Sequence, residues 1–484
     1  MRRAGVLLPV FSLPSEYGIG CFSKEAYDFV DLLEACGQKI WQILPIGPVA
    51  YGESPYQSPS TFAGNFMYID LEGLIEEGLL TKKECKEYDF GKNPERVDYT
   101  KVREGKMALL KLAFSRANPE SDREYIDFVS STTWLDCYAQ YCALKEHFGG
   151  KPWYEWNEEE ANRGGEDIEQ SKRFHKYVQF LFMKQWMALK KYANDKGILI
   201  VGDLPIYVAY DSVDCYGDRK LFQLNDDNTP KAVAGCPPDA FCEAGQLWGN
   251  PLYDWEYHKS TGYGWWLRRI DHCRKMFDIV RIDHFRGFES YYSVPYGAPD
   301  ARGGHWEKGP GLPFFTMLGE WFGEINIIAE DLGFLTDDVI QLVKDTGYPG
   351  MRILQFAFDE SHSSNYLPYK CKKNCVMYTG THDNNTTLGW YNSLNDSDRE
   401  YVADYVNTPA SKPKEVVKSL VRAALSCTAN TAVVPLQDYL LLDETGRTNV
   451  PGTVGGNWSW RVTKAQLKKI NAVKIKYITE LYGR

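Results

Sequence analysis

The stretch Ile279-Val280-Arg281-Ile282-Asp283-His284-Phe285-Arg286-Gly287 decides how this chain is read. Ile279, Val280 and Ile282 are β-branched and favour a pleated, packed surface. Arg281, Asp283 and His284 interrupt them where such a strand would leave its sheet, and charge at that point is costly unless it is paired or used. The pattern recurs twice. Ile325-Asn326-Ile327-Ile328-Ala329 runs into Glu330-Asp331, and Val376-Met377-Tyr378-Thr379 runs through Gly380 and Thr381 into His382-Asp383. Three apolar strands therefore deliver carboxylates at their C-terminal ends.

Working outward, candidate strands fall at Gly5-Phe11, Lys39-Pro45, Gly197-Leu204, Ile279-His284, Ile325-Glu330, Met351-Phe358, Cys375-Thr381 and Thr431-Leu436. Helical patterns fit between most of them. The first has Ser23 as N-cap, an apolar stripe of Ala26, Phe29, Val30, Leu33 and Cys36, and Gly37 as a stop; another spans Phe174 to Asn194. Strand alternating with helix implies a parallel sheet, and this number of units implies closure into a single (β/α)8 TIM barrel over residues 1–484, an α/β fold whose chemistry belongs at the C-terminal strand ends. The spacing is uneven. Residues 47–173 are far too many for a βα-loop and read as an inserted, mostly helical subdomain after the second strand, with Glu158-Glu159-Glu160 as a solvated face. Residues 209–275, after the third strand, carry Cys236-Pro237-Pro238-Asp239 and Gly245-Gln246-Leu247-Trp248 and read as a long substrate-binding or gating loop.

Bulk properties exclude other classes. The 484 residues are 44% hydrophobic and 25% charged with a net charge of −10, values of an ordinary globular protein. No basic cluster offers a nucleic-acid surface. Arg2 and Arg3 precede a short stretch broken by Pro9, which suits a first strand rather than a signal peptide, and no window approaches the roughly 20 apolar residues that cross a bilayer. The 12 cysteines are scattered. Their nearest pairs, Cys137/Cys142, Cys236/Cys242 and Cys371/Cys375, lack Cys-x-x-Cys spacing, so reduced thiols in a cytoplasmic protein are expected. The 14 Trp and 32 Tyr are an excess that core packing mostly absorbs. Several nonetheless fall in Gly- and Pro-rich loops such as Trp248-Gly249-Asn250-Pro251 and Asn457-Trp458-Ser459-Trp460, where flat rings can stack on sugar faces.

Each carboxylate has a structural explanation. Asp283 can pair with Arg281 or Arg286, Asp331 can cap a helix while holding the turn before Gly333, and Asp383 can cap a helix beginning at Asn384. Three at equivalent strand ends are harder to explain so, because carboxylates buried together destabilise a fold. Cleavage of a glycosidic bond needs such a set. A carboxylate attacks the anomeric carbon while a protonated acid faces it at about 5–5.5 Å, in a retaining mechanism. Arg281 lies two residues before Asp283, on the same strand face, where it would keep the nucleophile ionised.

The segments Ser54-Pro55-Tyr56-Gln57-Ser58, Gly202-Asp203-Leu204-Pro205-Ile206-Tyr207, Gly245-Gln246-Leu247-Trp248-Gly249-Asn250-Pro251, Arg281 to Gly287, Ala329-Glu330-Asp331-Leu332-Gly333, Thr381-His382-Asp383-Asn384 and Pro451-Gly452-Thr453 carry a resemblance. The chain resembles the 4-α-glucanotransferases (amylomaltases, or disproportionating enzymes) of the α-amylase superfamily over nearly its whole length. The resemblance implies Asp283 as nucleophile, Glu330 as general acid/base and Asp383 as the residue that binds the reacting glucose and favours its distortion. It also implies that His284 and His382 hydrogen-bond that sugar, that Asp203 orients Arg281, that Tyr56 stacks on glucose before the cleaved bond and that Trp248 stacks on the acceptor side. Tyr51 would contribute to a secondary glucan-binding groove. Ala240 stands where such enzymes usually carry an aromatic residue, which bears on acceptor contacts and gating.

The reaction implied is cleavage of α-1,4-glucosidic bonds of maltooligosaccharides or starch, with transfer of the glucan to an acceptor glucan or glucose. A hydrolase of α-glucans would use the same carboxylates, and a non-catalytic glycan-binding protein would have lost Asp283 or Glu330, both of which are present. No Asp-x-Asp-x-Asp-Gly metal loop appears, so no metal and no cofactor are expected, and the partners are the glucan donor and acceptor rather than nucleic acid or membrane.

Overall fold

The computed structural model describes residues 2–238, 243–333, 335–359 and 363–484; the side chain of Tyr51 and all of Ala240 lie outside the described residues. Its strands, in chain order, are β1 (Arg3–Leu7), β2 (Ile40–Gln42), β3 (Leu199–Leu204), β4 (Ala232–Cys236), β5 (Gln246–Pro251), β6 (Ile279–Ile282), β7 (Ser290–Pro295), β8 (His305–Lys308), β9 (Ile327–Ala329), β10 (Gly350–Ile353), β11 (Cys375–Tyr378) and β12 (Thr431–Pro435). Eight of them close a parallel barrel in the order β1-β12-β11-β10-β9-β6-β3-β2. These are the eight apolar runs of the sequence, most of them ending earlier than expected, while β1 and β10 also begin earlier, at Arg3 and Gly350. Pro9 cannot donate to a ladder, so β1 stops at Leu7 and Val10–Ser12 turns into a short 3-10 helix.

Alternation along the barrel strands separates two cores. One face of the strands fills the lumen with Leu7, Ile40, Val201, Ile328, Met351 and Val433 among others, a cluster drawn from around the barrel. The other face packs on helices, which explains why the strands read as continuous apolar runs. Lys24–Ala35 buries Ala26, Phe29, Val30 and Leu33 on the barrel and is followed by Gly37 at φ +69°. Ser23 holds its N-cap position, although its hydroxyl bonds Ser15 and Glu25 instead of a helix N–H. The helix before β3 runs from Glu166 to Asp195, one long helix that begins earlier than its apolar stripe.

Between β2 and β3, the described residues form helices that include Leu71–Glu76, Tyr99–Arg116, Arg123–Ser131 and Leu135–His147. Among the bonds that tie this region to the segment after β12, an isolated bridge joins Arg96 to Trp460, and the Tyr99 hydroxyl donates to the Trp458 carbonyl at 2.7 Å.

The region after β3 differs from a plain loop. β4 and β5 pair antiparallel and join β7 and β8 from the far side of β6, giving a four-stranded sheet in the order β5-β4-β7-β8. Its small core is Val233, Tyr292, Val294 and Ala301. β5 of this sheet carries Trp248, whose ring meets His284 just beyond the C-terminal end of β6.

Two capping expectations fail. Asp331 does not cap a helix: its carboxylate accepts the Met351 N–H at 2.6 Å and pairs with Arg352 at 3.1 Å, bracing β10, while the next helix starts at Asp337 under Thr336. A side chain at Gly350 would collide with that carboxylate, its Cβ falling 2.4 Å from Asp331 Oδ2. Asp383 caps nothing either, because the helix after it begins at Thr387 under the Thr386 hydroxyl.

Candidate active site

The site grows from the register of β3, β6 and β9. Asp203 pairs across the ladder with Arg281, and Ile282 with Ala329, so Asp283 and Glu330 emerge side by side at the strand ends. The Arg281 guanidinium is buried, and buried charge requires close partners. Its Nη1 donates to both Asp203 oxygens, at 2.7 and 2.6 Å, while Nη2 lies 3.1 Å from Asp283 Oδ1 and 3.8 Å from Glu330 Oε2. Arg281 thus anchors on a sealed carboxylate and reaches toward two open ones: the Asp203 side chain is 0% exposed, those of Asp283 and Glu330 27% and 16%. Arg286 does not join them; it packs over the Trp306 ring, 3.7 Å from its centroid.

Beyond β6 the chain turns sharply. The Asp283 N–H still bonds the Leu204 carbonyl at 3.0 Å, but His284 adopts the left-handed region at φ 48°, ψ 48°, a conformation that costs a non-glycine residue about 1 kcal/mol or more. The turn aims the His284 N–H at Glu330 Oε2, 2.5 Å away. It leaves His284 Nε2 buried without a hydrogen-bond partner, a polar atom that a ligand hydroxyl would satisfy. Burial, helped by Arg286, pushes the imidazole down to about 3, so the ring is neutral.

Asp383 enters from the turn after β11. Asn449 donates to its Oδ1 at 2.6 Å, His382 Nε2 lies 3.3 Å from Oδ2, and Arg447 donates to its backbone carbonyl at 2.9 Å. Burial works against this charge, but His382 and Asn449 outweigh it and hold the carboxyl well below the usual range. The other two titrate high. Burial raises Asp283 to about 6 against the pull of Arg281. Burial also raises Glu330, to about 8, with Arg281 opposing and the Asp283 charge adding. One guanidinium cannot neutralise this many carboxylates, and Glu330, the more distant from it, keeps its proton longest.

Aromatic walls flank these groups. Tyr56 donates its hydroxyl to Asp203 Oδ2 at 2.8 Å and lays its ring parallel to His382, centroids 5.2 Å apart at 15°. Trp458 leans on both rings, at 5.7 and 5.9 Å. On the opposite side the Trp248 ring meets His284 edge-on at 4.9 Å, its carbonyl held by Gln57 at 3.2 Å. The structure therefore brings together Asp283, Glu330, Asp383, Tyr56, Asp203, Trp248, Arg281, His284 and His382. Sequence reasoning missed Asn449 and Arg447 as the braces of Asp383; the adjoining Pro451-Gly452-Thr453 segment was their one signal.

Among the described residues no group of His, Cys, Asp or Glu is arranged to hold a metal ion, and no helix is long and apolar enough to cross a membrane. The site holds Asp283 close to Arg281 beside Glu330, which keeps its proton longer, together with Asp383, whose carboxyl is held low, between the rings of Tyr56 and Trp248.

The family model for 4-alpha-glucanotransferase, glycoside hydrolase family 77, matches residues 8–467. A 4-alpha-glucanotransferase of Streptococcus pneumoniae is 46% identical over 494 aligned residues, covering 100% of this chain and 97% of the relative. One of Clostridium butyricum is 44% identical, covering 98% of this chain and 99% of the relative. Among solved structures, an amylomaltase from Streptococcus agalactiae in complex with acarbose superposes with a TM-score of 0.96 at 38% identity, over 100% of both chains. Matches of this extent to barrel enzymes of one activity make the chain a member of the 4-alpha-glucanotransferase family, a glycosyltransferase acting on alpha-1,4-glucans.

Proposed function

We propose that the transfer runs by retaining double displacement, with Asp283 as nucleophile and Glu330 as general acid/base. The observation that carries this is the Arg281 fork. Both carboxylates lie within reach of one nitrogen, so these two oxygens are no more than about 7 Å apart, a closeness that suits the roughly 5–5.5 Å pair of a retaining enzyme. Asp283 holds the shorter contact to Arg281 and attacks the anomeric carbon; Glu330 protonates the departing oxygen, then deprotonates the acceptor hydroxyl. Asp383, with His284 and His382, binds hydroxyls of the reacting glucose and favours its distortion, while Asp203 orients Arg281. Tyr56 stacks on the donor glucan and Trp248 on the acceptor. In this reading residues 47–173 and 209–275 wall the glucan groove, since Tyr56 and Gln57 belong to the first and Trp248 to the second. Tyr51 is assigned to a secondary glucan groove. We place the protein in the cytoplasm; the described cysteines are all free thiols, which suits a reducing compartment.

Incubation with maltotriose tests the transfer. A ladder of longer maltooligosaccharides plus glucose is expected, whereas shortening alone contradicts it. In Trp248→Ala the ratio of transfer to release of new reducing ends falls, because water then competes with a poorly held acceptor; an unchanged ratio removes Trp248 from the acceptor side.

The protonation states set a pH window. Below about 6 the nucleophile gains a proton, and above about 8 the acid loses its own. The active form, Asp283 ionised and Glu330 protonated, is therefore most abundant between these values, and kcat/KM for maltotriose is expected to rise through the first and fall through the second. A profile still rising above pH 9 would contradict these assignments.

A further inference from the structure

A second aromatic surface lies outside the catalytic centre. The Tyr154 and Tyr210 rings stack 4.3 Å apart at 7°, nearly parallel, and Tyr296 stands edge-on to Tyr210 at 6.5 Å and 72°. Tyr154 is 41% exposed and Tyr296 50%, so one face of Tyr154 is covered by its partner and the other is open to solvent. The pair is held rigidly. Trp153 donates its ring N–H to the Tyr210 carbonyl at 2.8 Å and its backbone N–H to Asp211 at 3.2 Å, and the Tyr210 hydroxyl donates to the Asn228 carbonyl at 2.6 Å. Asp211 also accepts from Tyr141 and pairs with Lys145. Core packing does not require this arrangement, since two of the three rings keep about half their surface in water.

The position of these rings indicates what covers them. Tyr207, whose ring lies 6.2 Å from Trp248, precedes Tyr210 by three residues on the same loop. Along the small sheet, the Tyr296 N–H meets the Lys231 carbonyl, one residue before β4, and β4 pairs with the strand that carries Trp248. At about 3.3 Å per residue along β4 and about 4.8 Å for each of the two steps between strands, the way from Trp248 to Tyr296 is roughly 15 Å. The turn Asn225 to Asp227 beside Asn228 is exposed and polar, with carboxylates able to accept sugar hydroxyls.

We infer that Tyr154, Tyr210 and Tyr296 form a platform that holds an α-1,4-glucan chain at a distance from the cleaved bond, on the side of Trp248, with a glucose ring lying flat on the open face of Tyr154. This rests on the α-glucan reading of the catalytic centre and extends the acceptor path beyond Trp248. An aromatic face fixed in advance binds a flat apolar surface without ordering a side chain first. The platform therefore discriminates by chain length: short acceptors end before it, long ones reach it.

The test uses full-length Asp283→Asn protein, which holds glucan without turning it over, and measures dissociation constants for a long linear maltooligosaccharide and for maltotriose by calorimetry. Adding Tyr154→Ala or Tyr296→Ala should raise the ratio of the long-chain to the maltotriose constant by about three- to tenfold, the scale of one stacking contact. Tyr154→Phe keeps the ring and should leave that ratio at the parent value. An unchanged ratio in both Ala variants overturns the platform. So does an equal loss in the Phe variant, which would trace the effect to the hydroxyl. Failure of the catalytic reading would show separately, as absence of a product ladder from maltotriose with the unsubstituted protein.

Discussion

Asp283→Asn is expected to lower kcat/KM for maltotriose by about ten-thousandfold or more while glucan binding and melting temperature hold, because it deletes the attacking charge and little else. Asn matches Asp in volume, and Arg281 keeps its two bonds to Asp203, so the fork stays in place. Removing the Asp283 charge also removes one of the influences that raise Glu330. The folded state then carries one fewer crowded carboxylate, so the variant should melt no lower than the parent. Retention of a tenth or more of the activity would show that Asp283 is not the nucleophile.

Glu330→Gln should be nearly as damaging with ordinary glucans, yet should spare the first step for a donor that needs no acid. Gln keeps an oxygen for the His284 N–H but has no proton to give a departing sugar and cannot take one from an acceptor. Fluoride leaves with little protonation, so α-glucosyl fluoride should still glycosylate the protein. The second step then stalls for want of a base. Normal turnover of maltotriose by this variant would reduce Glu330 to a structural carboxylate at the end of β9.

Much of this was legible because a parallel barrel covers both faces of its strands. Each strand then shows as an apolar run, and the residues that break the runs mark the catalytic end. Asp283, Glu330 and Asp383 were visible for that reason. What the chain concealed depends on contacts between distant segments. The sheet β5-β4-β7-β8 draws strands from both sides of β6, and β4 is the bland Ala-Val-Ala-Gly-Cys, so no local alternation announces it. Asp331 has the composition of a helix cap, but Met351 and Arg352, twenty residues on, compete for its carboxylate and win. Asn449 is an ordinary polar loop residue until the fold carries it 2.6 Å from Asp383. Tyr154 and Tyr210 could not be read as a pair, since the stacking joins segments more than fifty residues apart.

Catalysis in the proposed mechanism passes through a glucosyl ester on Asp283 made possible by Glu330. Intact-protein mass spectrometry of Glu330→Gln mixed with α-glucosyl fluoride, followed by peptide mapping, tests it directly. An added glucosyl unit is expected on the peptide containing Asp283, and it should disappear when Asp283→Asn is combined with Glu330→Gln. A protein that releases fluoride yet never carries the sugar, or carries it on another residue, would contradict it.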